Sequence, residues 1–437
     1  MPSTYLTRTN GSAVTAERRT FTISYWVKRC NVGVQHALCS AGNGGGAEEF
    51  TMRFQTDDTL EVWHYDGSFV GRKRTNRKFR DTNAWYHVFC QYDTTNSTAD
   101  DRIKLYINGV RETSFQTSIN PTLNDNTPWN VDERHQIGSN SWAGGGASSP
   151  LDGYMSHFYN VAGSIIDISQ FGSTDSTTGE WKINTSPTIA SYGTAGFLIL
   201  KDGNTVTDQS PNSNNFTASG TLTKTEDCPS NVFATMNPFS QKDPTVVYGN
   251  GNTKTFYNQT STFAVYSTLA ASSGKYYAEC EIDAVGSASS VGVISVDTAN
   301  LRQYSQDFIG QQTDSIGYLQ NGEIKKANSN QQTGLTSFSN GTIVGIAMDL
   351  DNNTVQFYIN GASTGNTVSL TADKFYYFGD AGHSDAGHLW NFGNGYFGTT
   401  EITTNTGTGF QDADGNGRFF YAVPTNYRCL STKGLNQ

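Results

Sequence analysis

The chain has 437 residues, a formal net charge of −10 and only 16% charged residues, with 45 glycines, 10 prolines and 12% aromatics. That length accommodates two or three domains with separate cores, and the acidic balance excludes broad electrostatic attraction to nucleic acid or anionic lipid. The N-terminus "MPSTYLTRTNGSAVTAERR" lacks an apolar signal core and no run of 18 apolar residues occurs, so synthesis in a cytoplasm without membrane insertion is expected.

Residues 1–162 read as one β-sandwich. "FTISYWVKR" (21–29), "LEVWHYDG" (60–67), "WYHVFCQYD" (85–93), "RIKLYINGV" (102–110) and "LDGYMSHFYNVA" (151–162) are strand-like, and Gly-rich loops at 40–49 and 139–150 separate them. From 163 to 245 apolar runs become isolated, in "GFLIL" and "NVFATMNPF" among polar text. That stretch is expected to be an extended connector draped along the first sandwich. Strands resume over 246–437 with "GKYYAECEIDA", "SVGVISVD", "DSIGYLQNGEI", "TIVGIAMDLD", "VQFYINGA" and "KFYYFGD", followed by a tail at "RFFYAVP". The expected fold is all-β: two tandem antiparallel jelly-roll sandwiches joined by a polar connector.

One phrase occurs twice, as "IKLYINGV" (103–110) and "VQFYINGA" (355–362). In each, apolar residues alternate with the intervening side chains at period 2, and Asn-Gly supplies the positive φ angles of a tight hairpin. Each also follows a partner strand, so the repeated unit is a whole hairpin and marks an architectural repeat. The six cysteines (Cys30, Cys39, Cys90, Cys228, Cys280, Cys429) form no C-x-x-C or Cys/His cluster and are read as reduced core thiols.

These phrases carry a resemblance. "TFTISYWVKR", "WYHVFCQYD", "IKLYINGV" and "LDGYMSHFYNVAG" resemble the laminin G-like or pentraxin-like branch of the concanavalin A-like jelly rolls. "GKYYAECEI", "SVGVISVD", "TIVGIAMDLDNNTVQFYINGA" and "LWNFGNGYFG" look like a SPRY domain, another jelly roll. The order of the whole chain, with "DQSPNSNNFT", "DCPSNVFATMNP" and "YAVPTNYRCLSTKGLN", is similar to virion proteins of marine bacteriophages, cyanophages among them. The resemblance implies a non-enzymatic virion protein, a tail fibre or tail-associated adhesin that meets host-surface glycans and other virion proteins. The alternatives are a capsid decoration protein acting through protein contacts and a depolymerase of envelope polysaccharide. A homo-oligomer would suit a fibre, although no heptads are present to impose one.

Several clusters are candidates for chemistry. Glu279, Glu281 and Asp283 stand at i, i+2 and i+4 and would share one strand face, as the acid pairs of jelly-roll glucanases do; the acid that would complete that pattern is missing, and a soluble acidic strand is the plainer reading. Asp412, Asp414 and Asn416 in "DADGNGR" copy the first half of a calcium loop, but Val423 stands where its bidentate Glu belongs. A plain Asp/Gly turn is the better reading, so no cofactor is expected, with calcium as the alternative. Arg72, Lys73, Arg74, Arg77, Lys78 and Arg80 crowd into ten residues and could meet phosphate or carboxylate groups; without interleaved aromatics the run does not suit nucleic acid. Trp63, Tyr65 and Trp142 could stack on a sugar ring; core packing is the default reading for Trp63, and Trp142 in its Gly-rich loop is the better candidate for such a contact. His383 and His388 could share a metal with Asp380 or Asp385, with a plain loop as the alternative.

Overall fold

The two Asn-Gly phrases form the same turn in two places. Asn108 and Gly109 have φ of 48° and 79°, Asn360 and Gly361 have 47° and 81°, the doubly positive geometry of a type I′ hairpin. His87 N donates to Asn108 Oδ1 (2.7 Å) and Ile343 N to Asn360 Oδ1 (2.9 Å), so each Asn side chain also ties the turn to the preceding strand. A Cβ on Gly109 would lie 2.3 Å from the Trp181 ring, and one on Gly361 2.5 Å from the Tyr421 ring. Each turn is therefore roofed by an aromatic side chain from a segment that follows the sandwich.

The computed structural model describes residues 4–42, 48–140, 148–201, 206–240, 245–295, 308–403 and 409–435. The chain forms two compact units, Met1–Lys224 and Thr225–Gln437. In the first unit the strands that matter here are β1 (Thr20–Arg29), β2 (His36–Gly42), β3 (Glu48–Phe54), β4 (Thr59–Asp66), β5 (Phe69–Lys78), β6 (Trp85–Asp93), β7 (Ile103–Ile107) and β8 (Gly153–Ala162). One sheet runs in the order Phe115–Ile119, β5, β4, β3, β2, Arg134–Ile137, Tyr5–Thr9, Thr217–Ser219; the other runs Phe197–Ile199, β8, β1, β6, β7, Val110–Arg111. Phe21, Ile23, Tyr25 and Val27 of β1 meet Phe50, Met52, Leu60 and Val62 across the gap in one buried cluster. Each such side chain contributes about 1.5–3 kcal/mol by leaving water.

In the second unit β9 (Lys275–Ala284), β10 (Ala288–Ser295), β11 (Ile343–Asp349), β12 (Thr354–Ile359), β13 (Tyr376–His383) and β14 (Ala386–Asn391) carry the argument. One sheet orders Val246–Gly249, Lys254–Tyr257, β14, β9, β11, β12, Ala362–Ser363; the other orders Phe263–Tyr266, β13, β10, Ser315–Leu319, Ile324–Lys326, Ser329–Gln332. Ala278, Cys280, Ile346, Met348 and Phe357 pack there with Val291, Val293 and Phe378. Within its sheet the set β9, β11, β12 repeats the order of β1, β6, β7, which is why the two phrases recur.

The stretch 163–245, expected as one connector along the first sandwich, divides between the units. Up to Lys224 it belongs to the first, where Phe171 and Leu198 cover Phe89 and Tyr159 on the outer face of the β1–β6–β8 sheet. Glu17 holds it down, its two oxygens accepting from the backbone N–H groups of Thr194 (2.6 Å) and Ala195 (2.9 Å). From Thr225 onward it belongs to the second unit, where Phe233 packs with Tyr277, Phe419 and Cys429. Isolated apolar residues with buried polar anchors, invisible to a period-2 reading, make both segments parts of folded units. All six cysteines are free thiols, five of them buried.

Candidate functional site

The three carboxylates of β9 do not form an acid pair in a cleft. Glu279 is fully buried beneath the C-terminal segment: Oε2 accepts from Phe420 N (2.8 Å) and Asn391 Nδ2 (3.1 Å), and Oε1 accepts from Tyr421 N (2.8 Å) and Tyr277 Oη (3.4 Å). Burial pushes its carboxyl up to about 7 against the downward pull of those donors. Glu281 is half-buried, raised by burial and then by the charge of Asp283. A β-bulge between Ile282 and Ala284 breaks the register at Asp283, which pairs with Lys254 at 2.6 Å. Glu279 is thus the anchor of the segment around Phe419–Tyr421, as Glu17 is in the first unit. Glu279→Ala leaves the backbone N–H groups of Phe420 and Tyr421 without their acceptor, while Asn391 Nδ2 keeps Arg418 O at 3.0 Å. The variant is expected to destabilise the second unit by about 3 kcal/mol and to expose the chain after Gly409 to limited proteolysis. Unchanged cleavage kinetics would rule that anchoring role out.

The calcium-like loop is an Asp-centred turn. Asp412 Oδ1 accepts from Asp414 N (3.0 Å) and Asn416 N (2.7 Å), Oδ2 from Cys429 N (2.9 Å), and Asp414 pairs with Arg428 at 2.5 Å. The lone pairs that a cation would need face N–H groups instead. Among the described residues, no group of three or more His, Cys, Asp or Glu is placed to hold a metal ion.

His388 and Asp380 do meet, but inside the second sandwich and without His383. His388 Nδ1 lies 3.3 Å from Asp380 Oδ2 and its Nε2 2.5 Å from Ser289 Oγ; the hydrogen bonds to the Asp380 carboxylate come from Thr255 (2.7 Å), Trp390 Nε1 (2.6 Å) and the Tyr257 hydroxyl. His383 turns to Ser384 (2.9 Å). The order Ser–His–Asp is that of a nucleophilic relay, yet Ser289 is only 4% exposed and His388 is fully enclosed. These side chains form a buried polar network. Ser289 lies 99 residues from His388, and no local spacing announces it.

The basic run and the aromatic candidates come together on the outer face of the first unit, across β3, β4 and β5. Trp63 stands opposite Arg72, Tyr65 opposite Phe69, and Arg53 opposite Glu61. Glu61, fully buried, accepts from Arg53 Nε (3.1 Å) and Arg72 Nε (2.5 Å). The Arg53 guanidinium lies 4.4 Å from the Trp63 ring centre, that of Arg72 4.2 Å from Phe69, and the two rings are 5.1 Å apart. The result is a tier in the order Arg53, Trp63, Phe69, Arg72.

Most of the remaining cations are consumed. Arg74 pairs with Asp57 (2.9 Å), Arg77 with Glu112 (2.6 Å), Arg80 with Asp58 (2.8 Å), and Lys73 donates to Ser118 (2.6 Å). Arg74 and Arg77, expected as ligand contacts, are therefore first of all held by acids from neighbouring strands and turns. Trp142 lies outside the described residues. Sequence reading missed Arg53 and Phe69, because neither belongs to a local cluster; only strand register brings them in.

The comparisons agree with this architecture. Residues 3–162 match the model of the concanavalin A-like lectin/glucanases superfamily, a laminin G-like domain, and residues 275–384 match the SPRY domain. The chain thus holds a concanavalin A-like and a SPRY jelly-roll domain. Among solved structures it is similar to the SPRY domain of human HERC1 (18% identity, 36% of this chain and 96% of that one, TM-score 0.28) and to the TRIM65 PSpry domain (12%, 36% and 89%, 0.30). It is similar as well to the native heptameric SAP-like pentraxin of Limulus polyphemus (14%, 42% and 86%, 0.31). No curated protein matches the chain.

Proposed function

We propose that this chain is a non-enzymatic surface protein of a bacteriophage virion, a tail fibre or tail-associated adhesin that contacts host-surface glycans through its first unit. The observation that carries the glycan part is the tier Arg53–Trp63–Phe69–Arg72, in which aromatic rings and guanidinium groups are held side by side on three paired strands. Trp63 is only 7% exposed and has the Arg53 guanidinium against its ring, so the tier would meet a glycan through its guanidinium groups, and a site on strands is pre-organised. The opposite sheet of the same unit has its outer face covered by the 163–199 segment, so that face is not offered to a ligand. Glu279, one of the three catalytic candidates, is fully engaged in holding backbone N–H groups, and Asp283 pairs with Lys254, which favours binding over hydrolysis. The virion placement rests on the resemblance of the chain order alone. Many copies on one particle would turn weak contacts into avidity.

The test is electron cryomicroscopy of the particle, with the purified chain assayed for adsorption to host cells and for release of reducing sugar. A few copies on the tail, adsorption, and no sugar release are expected. Copies spread over the capsid shell would favour the decoration reading, and sugar release would overturn the non-enzymatic one.

A further inference from the structure

We infer that the sugar recognised on the β3–β5 face is acidic, and that Arg72 with Arg53 forms the clamp for its carboxylate or sulfate groups; this inference rests on the glycan reading above. Arg72 uses only Nε on Glu61, so both terminal nitrogens keep their N–H groups for another acceptor. Arg53 commits Nε and Nη2 to the same carboxylate, which leaves Nη1. The Arg53 and Arg72 side chains are 15% and 20% exposed, whereas Glu61 is fully buried. The carboxylate is therefore enclosed while both arginine side chains keep part of their surface in solvent.

Three features make this arrangement a receptor for anions. Glu61 is shared by two arginines, so one carboxylate faces two guanidinium groups, while Glu49 stands opposite Tyr65 and Asp57 holds Arg74. Each guanidinium is fixed twice, by Glu61 and by the ring it lies against, so little side-chain freedom remains to be lost on binding. The forked N–H groups match the two oxygens of a carboxylate or sulfate. Trp63, only 7% exposed, and Phe69 serve as the surface against which the guanidinium groups lie. A neutral sugar would leave those donors unspent.

The experiment measures retention of the full chain on polygalacturonate, dextran sulfate and neutral dextran, at low and at moderate salt. Polygalacturonate is expected to bind at least tenfold more tightly than dextran, with affinity falling as salt rises. Dextran sulfate binding as well would show that the clamp reads the shared anionic oxygens; polygalacturonate alone would show that it selects carboxylate. Arg72→Gln is expected to lose tenfold or more on the acidic polymer. Glu61 keeps Arg53 and Gln55 in that variant, so the fold is expected to hold, checked by its circular dichroism. Arg72→Lys keeps the charge but not the fork, and is expected to lose most of the same affinity. If dextran binds as tightly and Arg72→Gln changes nothing, the acidic-sugar inference fails while the glycan reading stands. Retention on none of the polymers, with host cells still adsorbing the chain independently of Arg72, also overturns it; absence of cell adsorption as well overturns both.

Discussion

Asp58→Asn is expected to destabilise the first unit by about 3–5 kcal/mol, the usual cost of leaving a buried charge without its partner. Asp58 Oδ1 accepts from Arg29 Nη1 (3.1 Å) and from Gly33 N (2.7 Å), and Oδ2 from Arg80 Nε (2.8 Å). Burial alone would raise its carboxyl, but the Gly33 N–H and the two guanidinium groups outweigh it and hold the group below its ordinary value. Arg29 is wholly enclosed, 4.5 Å from the Phe54 ring centre, with Phe79 O as its other close acceptor at 2.7 Å. Asn keeps the shape and tolerates the positive φ of 68° at this position, so the variant removes the charge and turns one of the two accepting oxygens into an N–H donor. Asp58→Ala should cost more, since it adds backbone strain. Denaturant unfolding of the two variants checks the order, and a loss below about 1 kcal/mol for Asp58→Asn would remove the buried pair from the account of stability.

Acidification is expected to unfold the first unit before pH 4. His36, His64 and His135 are depressed to about 4 and His87 to about 3, in each case by burial first. Geometry gives the same direction for two of them. His87 Nδ1 accepts from Trp181 Nε1 (3.0 Å) and His135 Nε2 accepts from Asn130 N (3.1 Å), and neither donor can turn round to receive a proton. The folded unit therefore binds fewer protons than the unfolded chain between pH 6.5 and 4. Stability is fully present above the unfolded value near 6.5 and is lost as pH falls toward the folded values. Each histidine contributes about 3 kcal/mol at most over that window, and together they rival the whole stability of a domain, about 5–15 kcal/mol. Thermal melts at pH 7, 6, 5 and 4 should show the transition of this unit falling steeply, with His87→Asn shallower than the parent. A melting temperature that stays level to pH 4 would contradict the neutral, buried state of these rings.

The candidate face shows how far local reading reaches. Trp63, Tyr65 and Arg72 stand out because each belongs to a short conspicuous run, and all three do lie on one face. Arg74 and Arg77 stand out for the same reason, yet Asp57 and Glu112 hold them. Glu112 is 35 positions from Arg77, and nothing near the basic run announces it. Glu279 reads as one of three acids on a solvent-facing strand, and is instead the buried seat of a segment that returns 141 residues later.

What the sequence by itself determined is the all-β class, the paired hairpins and the most strongly patterned strands; His36–Gly42, Glu48–Phe54 and Phe69–Lys78 are not among them. Alternation at period 2 and Asn-Gly turn chemistry act over a few residues and need no knowledge of the rest of the chain. The tertiary structure alone decided which charges are spent and which remain available. Neutralisation and burial depend on which strands become neighbours and in what register: Arg53 meets Glu61 and Trp63 meets Arg72 only because β3, β4 and β5 pair as they do. A shift of one residue would send those side chains to the other face, with the same composition and no tier at all.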